Sequence, residues 1–126
     1  MPPQRNNAAK NWAFTINNYV EADIEKLEFI FTQGHCNYLV FGLEVGEEGT
    51  PHIQGYVQFK KRLRFNQVKQ MVNGRAHIDE EYQNSTPQAN ESYCKKDGDW
   101  REFGVLQHKA GNCPNFFRII VDYPRY

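Results

Sequence analysis

An α+β sandwich is the fold class this sequence predicts: a mostly antiparallel central sheet with flanking helices, of the ferredoxin-like or split-βαβ type. Three observations carry it. Apolar residues alternate with polar ones around Trp12, Phe14 and Ile16, and again around Ile53, Val57 and Phe59, which is the period of half-buried strands. Segments with helical spacing fall between the strand segments, giving the order β-α-β-β-α-β-α-β. The chain has 126 residues, of which 40% are hydrophobic and 14% aromatic, enough to close one core and to argue against general disorder.

The first strand is expected from Asn11, with Asn17-Asn18 as a turn-prone stop. Ile24, Leu27, Ile30 and Phe31 form one stripe of a helix over about 21–33, and Gly34 suits its end. NYLVFGLE at 37–44 is an apolar run of strand formers. HIQGYVQF at 52–59 alternates, with Ile53, Val57 and Phe59 on one face and His52, Gln54, Tyr56 and Gln58 on the other. The Gly-containing connection between them predicts an antiparallel hairpin. A helix follows over about 65–72, stopped by Asn73-Gly74, and then a short strand within 75–81. Thr86-Pro87 reads as a helix N-cap with proline at the first helical position, and that helix is expected to reach about Lys96. Trp100–Val105 supplies a last short strand.

Composition narrows the function. Fifteen Lys and Arg balance fifteen Asp and Glu, so bulk charge does not advertise a nucleic-acid partner and any such contact needs a local patch. Lys60, Lys61, Arg62 and Arg64 provide that patch. No apolar stretch approaches the roughly 18 residues of a membrane helix, and the polar N-terminus lacks a signal-peptide core. No membrane partner is expected. Cys36, Cys94 and Cys113 show neither an even count nor CxxC spacing, which points to a reducing compartment rather than to a disulfide framework or a zinc knuckle.

The hairpin carries the chemistry. His52 and Gln54 leave the same face of one strand, and Glu44 returns beside His52 through the short connection. A carboxylate, an imidazole and an amide oxygen then converge, a donor set suited to a divalent cation such as Mg²⁺ or Mn²⁺. Glu47 and Glu48 on the connection are weaker candidates. On the third helix Tyr93 and Lys96 are three apart and share a face. A tyrosine with a free pKa of about 10 is a poor nucleophile, and a neighbouring cation and metal would stabilise its phenolate and neutralise a phosphate under attack. Tyr56, on the expected open face, is a candidate for stacking unpaired bases.

FTINN at 14–18, PHIQGYVQF at 51–59 and YCKK at 93–96 stand in the order and spacing of three motifs. Over about residues 10–105 the sequence resembles the catalytic domain of circovirus-type replication initiators, members of the HUH endonuclease superfamily. The resemblance implies an HUH endonuclease sandwich that nicks and rejoins single-stranded DNA at a viral origin stem-loop and starts rolling-circle replication in a host nucleus. It implies Tyr93 as the nucleophile forming a 5′-phosphotyrosine link, and Lys96 as a phosphate-positioning or charge-stabilising group. Glu44, His52 and Gln54 are implied as metal ligands, Gln54 standing where many HUH enzymes have a second histidine. Thr15, Asn17 and Asn18 would belong to the DNA-recognition surface, the asparagines serving either to read base edges or to support the sheet. A non-catalytic single-stranded nucleic-acid binder, or a regulatory fragment of an initiator, is the alternative reading.

Three regions are expected: a flexible arm over 1–10, the catalytic domain over 11–108, and a tail over 109–126. The apolar run FFRIIV in the tail suggests an added strand, self-association through a dimer contact or a tail from a different reading frame, and it motivates pairing with a full-length initiator. No GxxxxGK[ST] segment is present, so the helicase ATPase that such initiators carry has no counterpart here, and the chain reads as an excised catalytic domain or a short product.

Overall fold

The computed structural model describes residues 8–80 and 85–108. Its elements are β1 (Ala8–Asn17), α1 (Glu21–Thr32), β2 (Cys36–Val45), β3 (Pro51–Arg64), α2 (Phe65–Val72), β4 (His77–Glu80), α3 (Pro87–Cys94) and β5 (Trp100–Gly104). The strands form one sheet in the order β4-β1-β3-β2-β5, with every neighbouring pair antiparallel. β1 and β2 flank β3, and α1 makes the crossover between them, which is the split-βαβ arrangement. β5 extends the sheet at the outer edge of β2.

The alternation read from sequence decides which face each strand residue takes. Trp12, Phe14, Ile16, Leu39, Phe41, Ile53, Val57 and Phe59 pack with Ile24, Leu27 and Ile30 of α1 and with Val68 and Val72 of α2. This is the main core. Gly55 lies on the same face, where a Cβ would overlap the Phe14 ring, so the ring lies directly on the β3 backbone. The opposite face carries a smaller cluster, Tyr38, Val40 and Tyr56 of the sheet against Cys94 of α3 and Leu106. Helices thus lie on both faces, and among the described residues α3 and Leu106, after β5, cover the second one.

Two strand limits differ from expectation, for one reason. β1 begins at Ala8, so residues 8–10 of the expected arm are strand, and β3 runs through the basic burst to Arg64. The extensions pair with each other, Ala8 with Arg64 and Ala9 with Leu63, beyond a bulge between Ala9 and Asn11. Cross-strand pairing, not local propensity, makes both segments extended. The remainder of the arm, 1–7, and the tail, 109–126, lie outside the described residues.

α3 starts as its sequence predicts: Thr86 Oγ1 accepts from the Ala89 N–H at 3.0 Å, with Pro87 at the first position. It ends at Cys94, and Lys95 and Lys96 lie in the turn just beyond it.

Candidate active site

Gly42 decides where α3 sits. A Cβ there would overlap the carbonyl oxygen of Cys94, so the C-terminal end of α3 rests on the bare backbone of β2. This close approach holds Tyr93 and Lys96 above the end of the β2–β3 hairpin. The hairpin register pairs Glu44 with His52 and Gly42 with Gln54, so Glu44, His52 and Gln54 lie on one face of the hairpin.

Glu44 is 5% exposed, unusual burial for a carboxylate. Two groups compensate it. His52 Nε2 lies 2.9 Å from Oε1, and Lys96 Nζ donates to Oε2 at 2.6 Å. Burial alone would lower the Lys96 ammonium, but its hydrogen bond to Glu44 and the Glu44 charge outweigh that, and its pKa is raised above the usual lysine value. The same ammonium lies 4.0 Å from the centroid of the Tyr93 ring. Lys96 therefore joins the candidate nucleophile to the carboxylate. Tyr93 itself is 52% exposed, so its hydroxyl-bearing side chain is accessible from solvent.

Gln54 is held from the other side. Thr15, its register partner on β1, donates its hydroxyl to Gln54 Oε1 at 3.2 Å, and Gln54 Nε2 donates to the Phe14 carbonyl at 3.4 Å. Thr15 thus supports a site residue through its side chain.

The neighbouring Lys95 turns away from this patch. Its ammonium binds Glu91 at 2.6 Å and Glu102 at 3.1 Å and lies 4.3 Å from the Trp100 ring centroid, while the Tyr38 hydroxyl donates to Glu102 at 2.6 Å. Lys95 pins α3 to β5, and Lys96 pins its end to the hairpin.

Asn17 pairs with His52 at the site's edge, and Asn18 turns the chain with φ of 56°. Arg75 donates to the carbonyls of both asparagines and reaches Asp23 Oδ2 at 3.4 Å. Asn73 donates to Asp23 Oδ1 at 2.6 Å. This clamp fixes the turn beside the site, and sequence reading missed it, because nothing local to Arg75 signals a partner on β1.

Other expected residues do not join the patch. Lys60, Lys61, Arg62 and Arg64 lie at the far end of β3, where eight residue steps from His52 to Lys60 span on the order of 25 Å of extended backbone. Arg62 there donates to the Ala8 carbonyl and lines a cavity of about 370 Å³ with Lys10, Gln58, Gln107 and His108. Tyr56 is 0% exposed and packs against Tyr38 and Cys94, which corrects its reading as an open stacking platform. Local alternation marked its face, but not the helix that covers that face. Glu47 and Glu48 stay in the connection between the hairpin strands.

Among the described residues no three His, Cys, Asp or Glu side chains converge as a metal cluster. Glu44 and His52 supply two adjacent donors, and Gln54 presents an amide on the same face of the hairpin. Carboxylate oxygen, imidazole nitrogen and amide oxygen are chemically apt for Mg²⁺ or Mn²⁺, so the donor set fits a divalent cation.

The family described as "Putative viral replication protein" matches residues 9–97, from the first strand through Lys96. The chain belongs to this family. Its relatives place it with circovirus-type replication proteins. The replication-associated protein of Pigeon circovirus is 44% identical over 96 residues, 76% of this chain and 29% of that protein. That of Porcine circovirus 2 is 37% identical over 108 residues, 78% of this chain and 32% of the relative. Para-Rep C2 of Subterranean clover stunt C2 alphasatellite is 33% identical over 116 residues, 92% and 41% of the two chains. The chain thus spans between 29% and 41% of the length of these relatives. Among the described residues no helix is long and apolar enough to cross a membrane.

Proposed function

We propose that this circovirus-type replication protein nicks and rejoins single-stranded DNA at a viral replication origin, in a host nucleus, through a covalent link to Tyr93. The observation that carries the reading is the continuous chain Tyr93 ring, Lys96 ammonium, Glu44 carboxylate, His52 imidazole, with contacts of 4.0, 2.6 and 2.9 Å. The chain brings an accessible candidate nucleophile, a cation and two of the three proposed metal donors together.

In this reading Tyr93 Oη attacks the scissile phosphorus. A bond from Oη to phosphorus forms as the bond from phosphorus to the 3′ oxygen breaks. The phenol gives up its proton, and the departing oxygen takes one up as a 3′-OH that can prime synthesis. One phosphoester replaces another, so the reverse step rejoins ends without ATP. Glu44, His52 and Gln54 would hold a Mg²⁺ or Mn²⁺ ion, which when bound polarises the phosphate. Lys96 holds the Glu44 carboxylate in place through its hydrogen bond, and its position beside the Tyr93 ring places positive charge where the phosphate approaches. The Arg75 clamp and the Gly42 approach keep the two halves of the site in register, since small misplacement of reacting groups is costly.

The test is a denaturing gel of a labelled single-stranded origin oligonucleotide incubated with the protein and Mn²⁺, beside an EDTA lane and Tyr93→Phe. A protein–DNA band that survives denaturation, needs the metal and disappears in Tyr93→Phe is expected. A covalent band of equal strength from Tyr93→Phe would reject Tyr93 as the nucleophile. Binding with no covalent product in any lane would favour the non-catalytic binder instead.

A further inference from the structure

Gln54 differs from the other two donors in one respect: an amide has only one end that binds a cation. A carboxylate offers two equivalent oxygens, but a carboxamide turned by half a rotation presents two N–H donors and repels the ion. Something must choose the end. On the hairpin, the register partner of Gln54 is Gly42, which has no side chain to do so. On β1 there are two groups that do. The Phe14 carbonyl accepts from Nε2 at 3.4 Å, which requires the nitrogen end on that side. The Thr15 hydroxyl donates to Oε1 at 3.2 Å, which requires the oxygen end on its side. The two demands agree. A carbonyl oxygen has two lone-pair sites, so Oε1 held by Thr15 keeps one for a cation.

We propose that Thr15 is a positioning residue that sets the orientation of the Gln54 amide for divalent-cation binding, rather than a reader of DNA. The proposal rests on the metal-site reading given above. It assigns the task to β1, a strand that contributes no ligand of its own. A threonine suits the place twice: its branched side chain favours the strand, and its hydroxyl reaches the cross-strand neighbour on the same face. Its loss would leave only the longer Phe14 contact to resist rotation of the amide.

Direct Mn²⁺ titration, followed calorimetrically on the full chain without DNA, tests this. Thr15→Val keeps the shape and strand preference and removes the hydroxyl. It is expected to weaken Mn²⁺ binding about three- to ten-fold, the range of one ordinary hydrogen bond. Thr15→Ser restores the donor and should bind as the wild type does, with thermal unfolding recorded for every variant. In a Gln54→Glu background, where either oxygen can ligate, Thr15→Val should have no effect on Mn²⁺ affinity. Unchanged affinity in Thr15→Val alone, or an equal loss in the Gln54→Glu background, overturns the proposal. If Mn²⁺ binding is lost in His52→Ala yet untouched in Thr15→Val, only the role of Thr15 falls. If the wild-type chain binds no Mn²⁺, the metal reading falls and this inference with it.

Discussion

Lys96 Nζ donates to Glu44 Oε2 at 2.6 Å, so the lysine beside the candidate nucleophile is also the counter-ion of a buried carboxylate. Removing the ammonium leaves that carboxylate with one of its two partners, His52. Lys96→Met is expected to cost about 1–2 kcal/mol of stability, below the ~3–5 kcal/mol of a fully buried pair because the ammonium is partly solvated. Glu44→Gln should cost less, since it removes the buried charge itself and leaves Lys96 able to hydrate. Urea unfolding of the EDTA-treated proteins measures both. Equal costs for the two substitutions would mean that Lys96 does not act as the partner of Glu44.

Gly42 and Gly55 separate site geometry from core packing. Both sit where a Cβ would overlap a neighbour, Gly42 the Cys94 carbonyl and Gly55 the Phe14 ring. Each alanine substitution is expected to destabilise by about 1–3 kcal/mol through overpacking. Only Gly42→Ala pushes α3 away from the hairpin, and with it Tyr93 and Lys96. Strand transfer per folded molecule, with the folded fraction measured by circular dichroism, should therefore fall much further in Gly42→Ala. Equal loss in the two variants would contradict the role assigned to Gly42.

The order of the elements was legible because each pattern is local. Trp12, Phe14 and Ile16 alternate within one strand, and Ile24, Leu27 and Ile30 lie on one helical stripe, and the structure bears out both. The faces of His52 and Gln54 followed from the same alternation. The features that local patterns could not yield all depend on a partner distant in sequence. Arg64 is strand because Ala8 pairs with it, Tyr56 is buried because α3 covers it, and Arg75 matters because Asn17 and Asn18 turn beside it. Gly42 is the exception, since a glycine inside an apolar strand run already signals close approach.

Lys95 is the structural counterpart of Lys96. Its ammonium is shared by Glu91 and Glu102, and burial, which would lower it, is outweighed by hydrogen bonds to both carboxylates, so its pKa is raised. Lys95→Met should loosen α3 from β5 and cost about 1–2 kcal/mol, while Mn²⁺ affinity stays near that of the wild type. Hydrogen exchange of the α3 amides would report the loosening. Unchanged exchange there would show that the network does not fasten the helix.

Cys36 sets an alkaline limit on stability. It is 2% exposed, and burial raises its thiol from 9.0 to about 11, against smaller opposing effects of Lys60 and a backbone hydrogen bond at Tyr38. Cys94 is raised further, to about 12, by burial and then by the Glu44 charge. A thiol whose folded pKa lies above its unfolded one favours the folded state while both are neutral. That contribution is complete below about pH 9 and is lost as pH rises through 11, because the unfolded chain ionises first. Between those limits the wild type should lose about 1 kcal/mol per pH unit more than Cys36→Ala does. Urea midpoints of both proteins across that window measure the difference in slope, whatever Cys36→Ala costs at neutral pH. Parallel pH profiles would mean that the Cys36 thiol ionises as readily in the folded protein as in the unfolded chain.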